Sequence, residues 1–418
     1  MPDVACLEDV WRREAPYVLA ALLRRGDPLE ECEDAAQEAL VAAAEQWFRD
    51  GVPANARGWL IRVASRRLID THRADAARRR RELTDDLDRS APDRSVTWSE
   101  RTGDLDDSLQ MLLLCCHPAL PPASAVALTL RAVGGLTTRQ IAAGLLVPEA
   151  TAAQRISRAK ATLHAAGARF GPVVPAELPT RLHAVRHVLH LVFTTGAALP
   201  VGSDVIDQDL TAEGIRLTER LHRALPRDPE TAGLLALMLL VDARAAARVD
   251  ERGDLVVLAE QDRSRWDHAR IRRAIGLLEE ALPLGPAGPF QLQAAIAAVH
   301  AEAQSYADTD WPQILALYRV LLAVAPGPAA ELGAAIALSE VDGPESGLAA
   351  LEPLLAARPR DHRVLAARAH LLEAVGRPEA AAAFRQAATL TDSLPEQNYL
   401  RRKSTIAPGH DAVRRRDG

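Results

Sequence analysis

Apolar residues recur at helical spacing in nearly every stretch of this chain between glycine and proline breaks. One such stripe alternates steps of four and three residues: Leu178, Leu182, Val185, Leu189 and Val192. That spacing places apolar side chains on one face of an α-helix. Alanine and leucine dominate the apolar residues, whereas valine, isoleucine, tyrosine and phenylalanine are sparse for a sheet protein. The sequence therefore predicts an all-α fold.

A chain of 418 residues exceeds what one ordinary hydrophobic core holds, so several domains are expected. Residues 82–104 carry seven acidic residues against three arginines and show no apolar period, which is typical of a flexible linker. We predict two small helical domains at 1–81 and 105–168 on either side of this acidic linker. A helical extension at 175–403 and a disordered tail at 404–418 complete the prediction.

The bulk properties exclude several classes of protein. A net charge of −6 argues against wholesale coating of nucleic acid, although a local basic face would still attract DNA. The four cysteines are too few and too unevenly spaced for a disulfide framework. The start lacks the basic and apolar regions of a signal peptide, and no apolar run reaches the ~18 residues that span a bilayer. We expect a soluble cytoplasmic protein without a membrane partner.

The segment 57–81 is predicted to be a helix with a basic face. Leu60, Ala64 and Leu68 recur at core spacing, which leaves a group of arginines on another side. A row of guanidiniums suits a phosphate backbone, and Trp59 could stack on an unpaired base. The alternative is a solvated basic face with a core tryptophan. The candidate nucleic-acid residues here are Trp59, Arg62, Arg66, Arg67 and Arg73.

Residues 136–160 predict two helices separated by a tight turn. Thr137 and Gln140 form a capping box, Pro148 marks the start of the second helix, and the turn lacks the glycine that often occupies it. Ile141, Ala152, Ile156 and Leu163 would close a small core. A helix hairpin of this kind occurs in DNA readers and in plain scaffolds. The candidate DNA-binding residues are Arg139, Thr151, Gln154, Arg155, Arg158 and Lys160.

Other patterns point to structure rather than chemistry. Cys115 and Cys116 lack the spacing and the second ligand pair of a zinc site, so we expect buried small side chains. The histidines at 183, 187 and 190 are expected on a polar helix face. The polar cluster 261–267 could be a binding site, although a buried salt-bridge network is favoured. No nucleophile elbow, phosphate loop or dinucleotide motif is present, so we predict no enzyme, no metal and no cofactor.

A repeat is visible near the end of the chain. Pro344-Glu345 and Pro378-Glu379 lie 34 residues apart, and each pair follows a glycine. A period of 34 residues is typical of tetratricopeptide repeats, which present concave surfaces to peptides and protein helices. A protein or peptide ligand is therefore a possible partner of the extension.

Taken together, residues 8–168 resemble an extracytoplasmic-function (ECF) sigma factor of the sigma-70 family. The segments that carry the resemblance are Glu33–Leu40, Arg57–Asp70, Gly135–Ala142 and Glu149–Lys160. The rest of the chain is similar to group 42 of that family, which has a tetratricopeptide-like extension, through Leu113–Leu120, Gln261–Trp266 and Thr309–Pro312.

The resemblance implies a set of partners and roles. Asp34, Gln37 and Glu38 would dock on the β′ clamp helices of core RNA polymerase, and the polymerase β flap would be a second contact. The basic helix and the 48–56 loop would open the promoter −10 element, and residues 137–160 would read the −35 element. The acidic linker would thread towards the active cleft, where its charge predicts mimicry of RNA.

We therefore predict a sigma factor that directs promoter recognition and DNA melting and is regulated through its extension. The alternative is a helix-turn-helix regulator with a helical sensor domain that never engages core polymerase. The acidic helix at 30–48 discriminates between them, since a plain repressor has no need of it.

Overall fold

The computed structural model of the chain describes residues 4–82, 104–171, 173–199, 201–202 and 204–406. Eighteen α-helices make up nearly all of the regular structure in these ranges, so the predicted all-α fold is confirmed. The chain forms two compact units, Met1–Leu189 and His190–Gly418. Most of the predicted linker, residues 83–103, lies outside the described residues. Within them, no helix is both long and apolar enough to span a membrane.

The first unit begins with three long helices that pack on one another. They are α1 (Val4–Leu23), α2 (Leu29–Asp50) and α3 (Ala56–Glu82). The side chain of Asn55 accepts a hydrogen bond from the Gly58 amide at 2.8 Å, so Asn55 caps α3 as predicted. Leu60, Ala64 and Leu68 are buried, which confirms the predicted core face of this helix.

Four shorter helices follow in the same unit. They are α4 (Asp104–Cys115), α5 (Pro122–Ala132), α6 (Thr138–Gly144) and α7 (Glu149–Ala165). Helix α4 packs against α1, and Arg24 pairs with Asp107 there. Gly135 has a φ of 71°, and a Cβ at this position would lie 3.1 Å from the Cα of Arg12. A glycine at this break therefore lets the backbone approach α1 closely.

Helix α8 (Leu178–Ala197) carries the predicted apolar stripe, and Leu182, Val185, Leu189 and Val192 are all buried. The division between the two units falls within this helix, after Leu189.

The second unit stacks further helices in sequence order, and most begin at an aspartate cap or a proline. The side chains of Asp207, Asp228, Asp267, Asp310 and Asp361 each accept from a backbone amide of the first turn. The helices are α9 (Gln208–Ala224), α10 (Pro229–Asp242), α11 (His268–Ala281), α12 (Pro289–Glu302), α13 (Trp311–Val324), α14 (Pro328–Asp342), α15 (Pro344–Ala357), α16 (His362–Ala374), α17 (Ala380–Ala388) and α18 (Leu394–Ile406).

Close backbone packing and one short strand pair complete this unit. Helices α10 and α12 meet at Gly233, where a Cβ would lie 2.6 Å from the backbone nitrogen of Gln291. Strands β1 (Val201–Gly202) and β2 (Asp392–Ser393) pair in parallel and bring distant parts of the unit together.

The two glycines of the sequence repeat lie before helices of the C-terminal part. Gly343 and Gly376 have φ values of 90° and 75°, and each precedes a helix, α15 and α17 respectively. The tail prediction needs a correction, since α18 runs to Ile406 and includes residues predicted to be disordered from 404 onwards. Lys403 pairs with Glu373 at 2.6 Å, which holds the end of α18 on α16. Residues 407–418 lie outside the described residues.

Candidate nucleic-acid interface

Helix α3 presents Arg62, Arg66 and Arg73 on the side opposite its buried residues, and Arg67 lies on the flank that faces α2. Arg62, Arg66, Arg67 and Arg73 are exposed, and two of them have carboxylate neighbours. Arg67 Nε lies 3.5 Å from Glu38 Oε2, and Arg73 lies 3.9 Å from Asp70. Exposed pairs of this kind contribute little to stability, so all four guanidiniums stay accessible to a phosphate backbone.

Trp59 lies at the start of this basic face and is half-buried. Its ring meets the ring of Trp47 edge-on, with centroids 5.3 Å apart and planes at 62°. Trp47 is almost fully buried and anchors the pair to the core of α2 and α3. Trp59 is therefore held in place at one end of the basic face of α3, and its side chain is only partly covered.

Helix α2 exposes a mixed acidic and apolar stripe. Asp34 and Glu38 are exposed, Gln37 is half-buried, and Val41 and Phe48 continue the same face at 60% and 59% exposure. The steps from 34 to 38, 41, 45 and 48 alternate four and three residues, so these positions share one side of the helix. Two large apolar side chains so exposed along an acidic stripe mark a surface suited to a protein partner.

Helices α6 and α7 form the predicted helix-turn-helix. Thr137 and Gln140 make the capping box of α6, and Ile141, Ala152, Ile156 and Leu163 are buried as predicted. Leu146 occupies the turn with a φ of 51°, the left-handed conformation that glycine adopts more easily. The turn thus keeps a left-handed conformation although it lacks a glycine, and Leu146 adopts that conformation with strain.

The outer face of this unit carries most of the candidate DNA-binding residues. Arg139, Gln154 and Arg158 are exposed, and Thr151 and Arg155 are half-buried. Arginine and glutamine have the donors and acceptors that pair bidentately with base edges in a major groove.

Lys160 lies elsewhere, on the side of α7 that faces α2. Its Nζ lies 2.7 Å from Oε2 of Glu33, whose other oxygen lies 2.6 Å from Nε of Arg131. The Glu33 side chain is only 5% exposed. Sequence reasoning missed this carboxylate because Glu33 sits beside exposed acids in an acidic run, and the spacing of charges alone does not reveal which one is buried.

The remaining polar patterns are accounted for by packing and capping. Cys115 and Cys116 are buried free thiols as predicted, and burial raises the pKa of Cys116 to about 12. His183 and His187 stack with centroids 6.1 Å apart on an exposed face. The described residues contain no group of three metal-ligating side chains.

The cluster 261–267 differs from the favoured prediction of a buried salt-bridge network. Asp262 and Asp267 are exposed and cap the starts of a short 3₁₀ turn and of α11. Arg263 ties this segment to the end of α12 through backbone carbonyls rather than through carboxylates. Local capping accounts for the aspartates, whereas the arginine makes the long-range contact.

Comparison with known families assigns three parts of the chain. Residues 10–79 match sigma-70 region 2, residues 110–163 match sigma-70 region 4, and residues 181–282 match a family of unknown function, DUF6596. An uncharacterized protein of Rhizobium meliloti (strain 1021) is 39% identical over 408 residues, which cover 96% of each chain. The basic face of α3 lies in the region 2 match, and the helix-turn-helix lies in the region 4 match. The chain belongs to the sigma-70 family, whose members recognise promoters for RNA polymerase.

Proposed function

We propose that this chain is an ECF-type sigma factor of group 42 that binds core RNA polymerase through the outer stripe of α2. The observation that carries the proposal is the exposure of Val41 and Phe48 beside Asp34 and Glu38. The acids would pair with basic residues of the β′ clamp helices, and the apolar side chains would be buried on docking. Fully burying one such apolar side chain stabilises by about 1.5–3 kcal/mol.

In this proposal the two DNA contacts are divided between α3 and the helix-turn-helix. Arg62, Arg66 and Arg73 follow the phosphates near the −10 element, and Trp59 supports an unpaired base beside them. Gln154 and Arg158 read edges of the −35 element. Arg67 would exchange its contact with Glu38 for DNA when Glu38 engages polymerase, because the 3.5 Å pair is exposed and weak.

Lys160 is assigned to the −35 contact by sequence, but its pairing with Glu33 favours another role. A lysine at 2.7 Å from a nearly buried carboxylate links α7 to α2 and compensates the charge of that carboxylate. We propose that Lys160 contributes to DNA binding only when that pair opens.

The competing function is a helix-turn-helix regulator that binds DNA but not core polymerase. It shares the α7 reading face, so DNA binding alone does not separate the two. The stripe on α2 does, because a repressor gains nothing from exposing Val41 and Phe48.

The test is retention of core RNA polymerase by the tagged full-length chain, followed by run-off transcription on DNA fragments that the complex selects. The double variant Val41→Ser with Phe48→Ser should lose at least about tenfold of polymerase affinity, equivalent to ~1.4 kcal/mol. Val174→Ser is the matched control, since Val174 is also 60% exposed but lies far along the chain from α2. Wild-type chain that selects DNA and retains no polymerase would favour the regulator.

We also propose that the helical extension controls activity in the same polypeptide, in place of a separate anti-sigma protein. Truncation after about residue 172 would test this, but it removes α8, whose Leu182 and Val185 are buried and belong to the first unit. A chain ending after Ala197 keeps that helix whole, so it is the better comparison. Equal run-off activity from this chain and the full-length chain would contradict internal control.

A further inference from the structure

Two arginines, Arg244 and Arg263, meet around the buried Trp266 in the second unit, and a third, Arg248, lies near Arg244. The Cζ atom of Arg263 lies 4.7 Å from the ring centroid of Trp266, and the Cζ atom of Arg244 lies 5.8 Å from it. Arg248 is one turn further along the chain and close enough to repel the charge of Arg244. Trp266 is 4% exposed, so the cluster lies at the edge of the core rather than on an open surface.

Backbone carbonyls hold two of these guanidiniums in place. Nη1 of Arg263 donates to the carbonyl oxygens of His300 and Ala303, at 2.5 and 2.6 Å. Nη1 of Arg248 donates to the carbonyl oxygen of Ala197. A carbonyl satisfies a donor but carries no formal charge, so the cations are oriented without being neutralised. Each guanidinium also keeps further N–H donors for another partner.

Arg244 has no hydrogen bond or ion pair within the part of the chain that the structure describes. Burial, together with the charges of Arg248 and Arg263, lowers the pKa of Arg244 to about 10. Two acids act on the edges of the cluster, Glu396 near Arg248 and Asp308 near Arg263.

Both acids at the edges are hydrogen-bonded to other side chains. Glu396 accepts from Thr391 at 2.7 Å, and Asp308 accepts from Ser305 at 2.7 Å. Arg244 and Arg263 therefore face Trp266, with Arg248 near Arg244, and no carboxylate is hydrogen-bonded to any of the three among the described residues.

Two ring nitrogens in the same cluster are also unsatisfied. The buried indole Nε1 of Trp266 and the Nδ1 of His300 have no hydrogen-bond partner among the described residues. Burial, reinforced by Arg244 and Arg263, lowers the pKa of His300 to about 4, so its ring is neutral at pH 7. Buried polar atoms without a hydrogen-bond partner are rare in folded proteins, so a missing partner is expected here.

We propose that Arg244, Arg248 and Arg263 form a binding site for the phosphate group of a small molecule or for inorganic phosphate. Converging cations that are partly removed from water are costly unless an anion compensates them. Guanidinium groups present paired donors that match phosphate oxygens. A phosphate dianion compensates neighbouring guanidinium charges more fully than a single carboxylate does. The burial of Trp266 leaves no flat surface on which a nucleic acid could lie.

The site lies in the segment that matches the family of unknown function, at 181–282, and is separate from the DNA-binding helices. It goes beyond the proposed promoter function and does not depend on it. Measuring phosphate binding directly therefore tests this site without testing the proposed promoter function.

The test is isothermal calorimetry of the full-length chain with inorganic phosphate at pH 7.5, with sodium chloride of equal ionic strength as the reference. We expect saturable binding at one site, with a Kd tighter than about 1 mM. Arg244→Gln should weaken it at least about tenfold, as expected for the loss of charge-assisted hydrogen bonds. Arg319→Gln, which removes an exposed arginine of the same unit outside the cluster, should bind like wild type.

Further measurements complete the test, among them titrations with glycerol 3-phosphate and with acetate. Arg244→Lys keeps the charge without the paired donors and should fall between wild type and Arg244→Gln, while circular dichroism verifies that each variant is folded. Glycerol 3-phosphate distinguishes the two sources, since tighter binding than inorganic phosphate indicates an organic phosphate and weaker binding indicates the free ion. No heat beyond that of chloride, acetate binding as tight as phosphate, or equal affinity of folded Arg244→Gln and wild type would overturn the proposal.

Discussion

Replacing Glu33 by glutamine should loosen the packing of α2 on α5 and α7. One carboxylate joins the three helices, with Arg131 at 2.6 Å on one oxygen and Lys160 at 2.7 Å on the other. Glu33→Gln keeps the shape of the side chain and removes its charge. The two cations then face each other without compensation in a site where Glu33 is 5% exposed.

The expected loss of stability depends on how deeply Glu33, Arg131 and Lys160 are buried. Removing one partner from a fully buried ion pair costs about 3–5 kcal/mol. Arg131 and Lys160 are each 17% exposed and would be partly rehydrated, and Arg131 also keeps its bond to the Leu136 carbonyl. We therefore expect a loss of about 2 kcal/mol in local stability, a factor of ~30 in the opening equilibrium.

The assay is amide hydrogen exchange of the full-length chain, resolved by peptide. Exchange in α5 and α7 should be ~30-fold faster in Glu33→Gln, whereas α10 to α18 should be unchanged. Glu30→Gln is the matched control, since Glu30 is on the same helix but exposed. In a double-mutant cycle, Lys160→Met should cost less in the Glu33→Gln background than in wild type. Unaltered exchange in α5 and α7 would refute the assignment of Glu33 as the charge that joins these helices.

Two further predictions concern the turn at Leu146 and the half-buried His300. Leu146→Gly should be more stable than Leu146→Ala by about 1 kcal/mol in thermal unfolding, because only glycine adopts the φ of 51° without strain; an alanine variant of equal or greater stability would contradict this turn. His300 is held neutral by burial, by Arg244 and by Arg263, and its pKa is lowered from 6.5 to about 4. As the pH falls, this histidine therefore takes up a proton in the unfolded state before it does so in the folded state. The free energy of unfolding keeps its full value from this group above pH ~6.5 and decreases as the pH falls towards 4. The melting temperature of His300→Gln should fall less between pH 6.5 and 4 than that of wild type, and equal slopes would argue against a neutral His300.

Much of the local structure could be predicted because it depends on short-range rules. Helical spacing of apolar residues predicted the core faces of α3, α7 and α8, and the capping residues Asn55 and Thr137 lie where their hydrogen-bonding chemistry predicts. The residues of these motifs also predicted the sigma-70 family. The candidate DNA and polymerase residues remain predictions, although most of them lie on exposed faces.

The sequence by itself determined which segments are helices and which faces are apolar, since both depend on the side chains within a few turns of one another. Only the tertiary structure decided which charges are satisfied. Glu33 and Asp34 are adjacent acids, yet one is buried between Arg131 and Lys160 and the other is exposed. Arg244 and Arg263 are 19 positions apart and meet only because the chain folds around Trp266. The cost of a charge depends on its distance from other charges and from water, and those distances are set by helix packing rather than by position along the chain.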